Sequence, residues 1–127
     1  MTPEELIEQA RAVAELAYAP FSNYRVGAVV VADDGSTYTG ANVENSAYGS
    51  AICAESSAIS HAVSSGVRKI DTVAVSCPDA DEPGYPCGNC RQLMLEFDVE
   101  TVIVDGPDGP IVHRFDELLP HGFRLSP

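Results

Sequence analysis

Val26-Gly27-Ala28-Val29-Val30-Val31-Ala32 is a nearly unbroken apolar run, followed directly by Asp33-Asp34-Gly35. A short valine-rich run of this kind predicts a buried strand, and the Asp-Asp-Gly that follows predicts a hairpin turn. Residues 36–41 then return as the second strand. Upstream, Thr2-Pro3-Glu4-Glu5 predicts a helix start. Thr2 can cap, Pro3 suits the first turn, and Glu5 completes a capping box. Leu6, Ala10, Val13 and Ala17 hold helical spacing as far as Ala19-Pro20.

Downstream, Ile52, Ile59, Ala62 and Val63 mark a second helix closed by Ser65-Gly66. Residues 70–76 read as a third strand, and a third helix starts near Gly88 and carries Leu93, Met94, Leu95 and Phe97. Val102-Ile103-Val104 is a fourth strand, 106–109 a turn, Ile111-Val112 a short fifth strand, and 116–119 a last helical turn. The polar stretch 42–50 reads as a functional loop or a solvated connection, and 78–86 as an acidic loop with prolines. A hairpin combined with strand–helix–strand units implies an α/β fold: a mixed sheet with helices packed on it. No repeat or linker divides the chain, so residues 1–127 read as one domain.

Composition narrows the function. Apolar residues make up 45% of the 127, which suits a globular chain with one modest core. So short a chain builds the walls of a cleft with difficulty, and residues from a neighbouring subunit are expected to help. Nineteen acidic residues against seven basic ones give a net charge of −12. Such a surface repels polyphosphate, which makes nucleic acid a poor partner and an uncharged small molecule a good one. No apolar run of membrane-spanning length is present, and Met-Thr-Pro-Glu-Glu does not resemble a leader. The expectation is a cytoplasmic protein with reduced thiols, in which a cysteine cluster favours metal or catalysis over disulfides.

The chemistry concentrates in Ile52-Cys53-Ala54-Glu55 and Pro86-Cys87-Gly88-Asn89-Cys90. Cys87 and Cys90, three apart at a helix start, suit either a metal or a redox pair. Cys53 and Glu55 shift the reading toward metal, because a third thiolate and a nearby carboxylate lie at another helix start. Zinc with three thiolates carries a net charge of −1, and two positive helix ends would offset part of it. Three protein ligands leave a fourth position open, the mark of a catalytic site, and Glu55 could reach a water there. His61 stands about 12 Å from Cys53 on one helix, too far to share the ion. His113 and His121 lack ligand spacing. Cys77, at the end of an apolar strand, reads as a core residue; its use in a closed four-cysteine site would leave Glu55 idle.

These residues resemble a known family. Cys-Ala-Glu followed by Pro-Cys-x-x-Cys matches the zinc deaminase signature in its three-cysteine form. Tyr18-Ala19-Pro20-Phe21-Ser22, Arg25-Val26-Gly27-Ala28, Asn42-Val43-Glu44-Asn45, Arg91-Gln92 and Leu118-Leu119-Pro120 extend the match over nearly the whole chain. Together they are similar to the small homotetrameric cytidine deaminases. The resemblance implies a three-layer α/β/α sandwich around a five-stranded mixed sheet. It also implies one Zn2+ per chain on Cys53, Cys87 and Cys90, with Glu55 as proton shuttle. The implied reaction is deamination of cytidine and 2'-deoxycytidine to the uridines, with release of ammonia, in pyrimidine salvage. Asn42 and Glu44 match ribose-binding positions, and Tyr24 matches an aromatic against the base. The backbone of Ala54 would meet the base edge. Tyr48 and Phe123 match residues that complete a neighbouring subunit's site.

Two departures stand out. Where many three-cysteine members carry an arginine after Cys-Ala-Glu, this chain has Ser56, whose hydroxyl can donate but brings no charge. Arg91 is the nearest cation in sequence. His121-Gly122 replaces the usual small residues before Phe123. Alternative readings are a deaminase of a related aminopyrimidine nucleoside, such as blasticidin S, and a non-catalytic zinc-binding or thiol-redox domain.

Overall fold

The structure is a computed structural model describing residues 1–127. The elements in chain order are α1 (Pro3–Ala14), β1 (Gly27–Ala32), β2 (Thr37–Ala41), α2 (Ala54–Ser64), β3 (Ile70–Ser76), α3 (Gly88–Glu96), β4 (Thr101–Gly106), β5 (Gly109–Arg114) and α4 (Phe115–Leu118). A 3-10 turn spans Tyr48–Ser50. The five strands form one mixed sheet in the order β2-β1-β3-β4-β5, and only β3 and β4 run parallel. A parallel pair needs a crossover, and α3 supplies it.

The pleat decides which helix lies on which face. Val29, Ala74 and Ile103 are cross-strand partners and form one cluster with Leu6, Ile7 and Ala10 of α1. The alternate rows, Ala28–Val75–Val104 and Val30–Val73–Val102, belong to the larger cluster with Ala58 and Ile59 of α2, Met94 of α3 and Phe115 of α4. The result is a three-layer α/β/α sandwich around a five-stranded mixed sheet, as the sequence implied.

Local signals hold where packing agrees with them. Thr2 and Glu5 form the expected capping box, with both backbone N–H to side-chain bonds at 3.1 Å. The helix, however, stops at Ala14 and not near Pro20. Tyr18 instead donates its N–H to the Asn42 carbonyl at 3.0 Å and accepts from the Glu44 N–H at 2.8 Å, bridging to Val43. A long-range pairing has taken residues whose spacing alone favoured helix. The fifth strand is also longer than Ile111-Val112, because the Gly106–Gly109 turn starts its pairing with β4 early.

The small-residue stripe Ala54, Ala58 and Ala62 lets α2 sit close to the sheet. A Cβ on Gly40 of β2 would lie 2.3 Å from the Ala58 backbone nitrogen, so only glycine fits under α2 there. Gly40→Ala is expected to destabilise the fold by about 2–3 kcal/mol, the cost of overpacking against backbone. Chemical denaturation of the variant beside wild type measures it.

Candidate active site

The N-cap residues of α2 and α3 are Cys53 and Cys87, so both helices point their unsatisfied N–H groups toward the same spot. Cys90 lies in the first turn of α3 and is fully buried. The Sγ atoms of Cys53, Cys87 and Cys90 all lie within 4.8 Å of one another, and Cys53 and Cys87 stand 3.9 Å apart. A tetrahedral zinc with Zn–S bonds near 2.3 Å separates its sulfurs by about 3.8 Å, so the donor set fits that ion. All four cysteines are free thiols.

Without an ion, burial raises the Cys53 thiol and raises Cys90 strongly, with the Glu55 carboxylate adding to the rise at Cys90. Cys87 differs. Burial opposes its ionisation, but the backbone of Cys90 and Asn89 and the neighbouring thiols bring it below the ordinary value.

Glu55 sits in the first turn of α2, only 5% exposed. Burial pushes its carboxyl above the usual range, offset in part by its own backbone N–H. It borders a cavity of about 280 Å³ whose lining includes Tyr24, Asn42, Glu44, Cys53, Ala54 and Cys87. This is the small end of small-molecule sites. Four of the expected substrate-binding residues, Tyr24, Asn42, Glu44 and Ala54, therefore share one wall system with the thiol cluster. Tyr48 and Phe123 do not line it in this chain; they stand out at 82% and 69% exposure.

The polar residues are already organised. Asn42 accepts from the Val26 N–H at 2.8 Å and donates to the Tyr24 carbonyl at 2.9 Å, fixing the extended segment that presents Tyr24. Glu44 accepts from the Ser22 hydroxyl and from the N–H groups of Phe21 and Ser22, and these bonds hold its carboxyl below the usual range. The loop across the cavity is fixed from both ends. Asp79 accepts three bonds from Arg25, each 2.9 Å, and Arg91 donates to the Pro86 carbonyl at 2.7 Å.

The structure adds lining residues that sequence reasoning missed: Val43, Ile52, Val75, Cys77 and Tyr85. Cys77 packs against the core as expected, yet it also borders the cavity, and it stays outside the thiol trio. The only sequence signal for Tyr85 was its place directly before Pro86-Cys87. His61 bonds the Thr39 carbonyl at 3.1 Å and stacks edge-on against Tyr38. His113 lies within bonding distance of Tyr85 and Glu117, so it too stands apart from the thiol ligands.

Comparisons with known proteins agree with this geometry. Residues 1–105 match the family described as the cytidine and deoxycytidylate deaminase zinc-binding region. Cytidine deaminase of Mycoplasma genitalium is 39% identical over 126 residues, covering 97% of this chain and 96% of the relative. Cytidine deaminase of Halalkalibacterium halodurans is 44% identical over 129 residues, covering 99% of this chain and 97% of the relative. The crystal structure of cytidine deaminase from Burkholderia pseudomallei superposes with a TM-score of 0.89 at 40% identity, covering 97% of this chain and all of that one. A three-thiolate cluster at two helix starts, beside a buried glutamate, in this sandwich defines a zinc-dependent hydrolytic deaminase. The chain belongs to the cytidine and deoxycytidylate deaminase family.

The departure at Ser56 has a structural outcome. Ser56 lies 3.3 Å from Cys90 Sγ, so its hydroxyl supports that thiolate. Arg91 does not compensate for charge at the thiols: its guanidinium donates to the carbonyls of Pro86 and Leu118, each at 2.7 Å. Ser56→Ala is expected to weaken zinc retention about tenfold, as loss of a ligand's hydrogen-bond partner does, measured by competition with a chromophoric chelator.

Arg25 holds the Asp79 carboxyl down at about 2. A folded-state value below the unfolded one contributes stability above about pH 4, lost as pH falls through about 2. Asp79→Asn is therefore expected to unfold at lower denaturant than wild type at pH 7. The gap between the two should close as pH approaches 2.

Proposed function

We propose that this chain deaminates cytidine and 2'-deoxycytidine hydrolytically to uridine and 2'-deoxyuridine, releasing ammonia. The observation that carries the reading is Glu55: a buried carboxylate with no other side-chain partner, at the edge of a nucleoside-sized cavity beside three clustered thiols. A structural zinc site has no use for such a carboxylate, and a redox pair has no use for the third thiol. The names of the relatives support the same substrate.

Cys53, Cys87 and Cys90 would hold the zinc. When bound, zinc supplies Lewis acidity at an open coordination position, which makes a nucleophile available at neutral pH. Glu55 takes a proton from the attacking water and delivers it to N3 as the C4–O bond forms. It then passes the second proton to the departing amine as the C4–N4 bond breaks. Burial suits Glu55 to this role, because a carboxyl with a raised pKa both accepts and returns protons. Tyr24 packs on the base, and the Ala54 backbone meets its polar edge. Asn42 still has one amide hydrogen and one lone pair uncommitted after bracing Tyr24 and Val26, enough to bind a ribose hydroxyl beside Glu44. Two sugar hydroxyls on a carboxylate disfavour a phosphate there, and the net charge of −12 points the same way, toward nucleoside and away from polynucleotide.

Residues 1–127 act as one catalytic domain, and four copies assemble with shared sites. Support for the assembly comes from Tyr48 and Phe123, aromatic, exposed and outside their own chain's cavity, and so available to a neighbour's. The protein works in pyrimidine salvage in the cytoplasm, a compartment in which a cysteine cluster stays reduced. No helix is long and apolar enough to cross a membrane.

Glu55→Gln tests the assignment. The variant should keep one zinc per chain and lose about 10³-fold in kcat for cytidine, followed by the absorbance change to uridine. Near-normal turnover would remove Glu55 from the chemistry. Faster turnover of blasticidin S than of cytidine by wild type would overturn the substrate.

A further inference from the structure

Tyr85 forms part of the cavity wall between Gly84 and Cys87, and none of the roles above uses it. It lies on a loop without regular structure, 42% exposed, where a free phenol ring would sample several rotamers. Its position is nonetheless fixed from outside the loop. The Tyr85 hydroxyl lies 2.9 Å from His113 Nε2, and the two rings meet edge-on with centroids 5.3 Å apart. On the other side of the imidazole, His113 Nδ1 lies 3.2 Å from Glu117 Oε2. With the imidazole in its neutral form, a proton on Nδ1 serves the Glu117 carboxylate and leaves Nε2 to accept from the phenol. In that tautomer the three groups form one chain, with Tyr85 donating to His113 and His113 to Glu117.

The same loop segment is set by two further contacts. A Cβ on Gly84 would lie 2.2 Å from Cys77 Sγ, so the backbone is pressed onto the wall there, and the Pro86 carbonyl is held by Arg91. The backbone at 84 and 86 is therefore fixed by its own neighbours. What remains free is the direction of the Tyr85 ring, and that is what His113 determines. His113 comes from β5 and Glu117 from α4, the edge of the sheet remote in sequence from the thiol ligands.

We infer that His113 and Glu117 are positioning residues for substrate binding, holding Tyr85 as a wall of the nucleoside cavity. The inference rests on the cavity being the nucleoside site. A wall that touches substrate and transition state alike changes KM and leaves kcat in place, because it does not act on the reacting atoms.

Steady-state kinetics with cytidine test it on His113→Ala, Tyr85→Phe and the double variant. Each single variant should raise KM about three- to tenfold, the worth of one net hydrogen bond, with kcat within twofold of wild type and zinc content unchanged. The double variant should be no worse than the poorer single variant, since both remove one link. His113→Gln, which keeps an acceptor for the phenol, should restore most of the wild-type KM. Wild-type KM in both single variants overturns the inference. So does a loss of kcat and zinc together, which marks a purely structural role. Failure of the wild-type protein to deaminate cytidine would overturn the functional reading and this inference with it; turnover with unaltered variants overturns this inference alone.

Discussion

Two helix N-termini meet at one point, and the rest of the molecule is arranged to keep them there. Each helix start carries unsatisfied N–H groups and a partial positive charge. Cys53 and Cys87 occupy the two N-cap positions, so three thiolates gather where backbone dipoles favour negative charge. No arginine or lysine side chain contributes at the sulfurs; Ser56 supplies the one side-chain hydroxyl. The site thus relies on backbone orientation, and that depends on how closely α2 can approach the sheet. Gly40 and the alanine stripe of α2 set that approach.

Around this centre the cavity is prepared by bonds made before any substrate enters. Asn42 spans two backbone groups, Glu44 collects three donors, and Arg25 holds Asp79. The first two fix polar or aromatic wall residues, and the third ties down the loop that crosses the cavity. Glu55 is the exception. It is buried with no side-chain partner and only its own backbone N–H, an arrangement that costs stability and suits the proton shuttle proposed for it.

Much of this was legible in the chain. The valine run with Asp33-Asp34-Gly35, the capping box at Thr2 and Glu5, and the two cysteine segments carry local signals, and the structure has each feature where the sequence placed it. The thiol cluster was readable because both cysteine segments fall at helix starts, while its use as a ligand set came from the family resemblance. What local reading missed depends on contacts between distant segments. Tyr18 leaves helical spacing to pair with Val43, and Val75 and Cys77 turn out to border the cavity. The role of Tyr85 depends on His113, 28 residues away, and no periodicity in either segment links them.

The β3 strand separates Cys53 from Cys87 along the chain, and α2 and α3 reach the site from either side of it. An unfolded or half-made polypeptide can offer only the adjacent Cys87–Cys90 pair, a weak two-point chelate. The third sulfur joins once β3 is seated in the sheet and both helices lie on its face. A site that needs all three sulfurs is therefore complete only in the folded topology. Retention of an ion by the trio would report the assembled topology and not just a local turn.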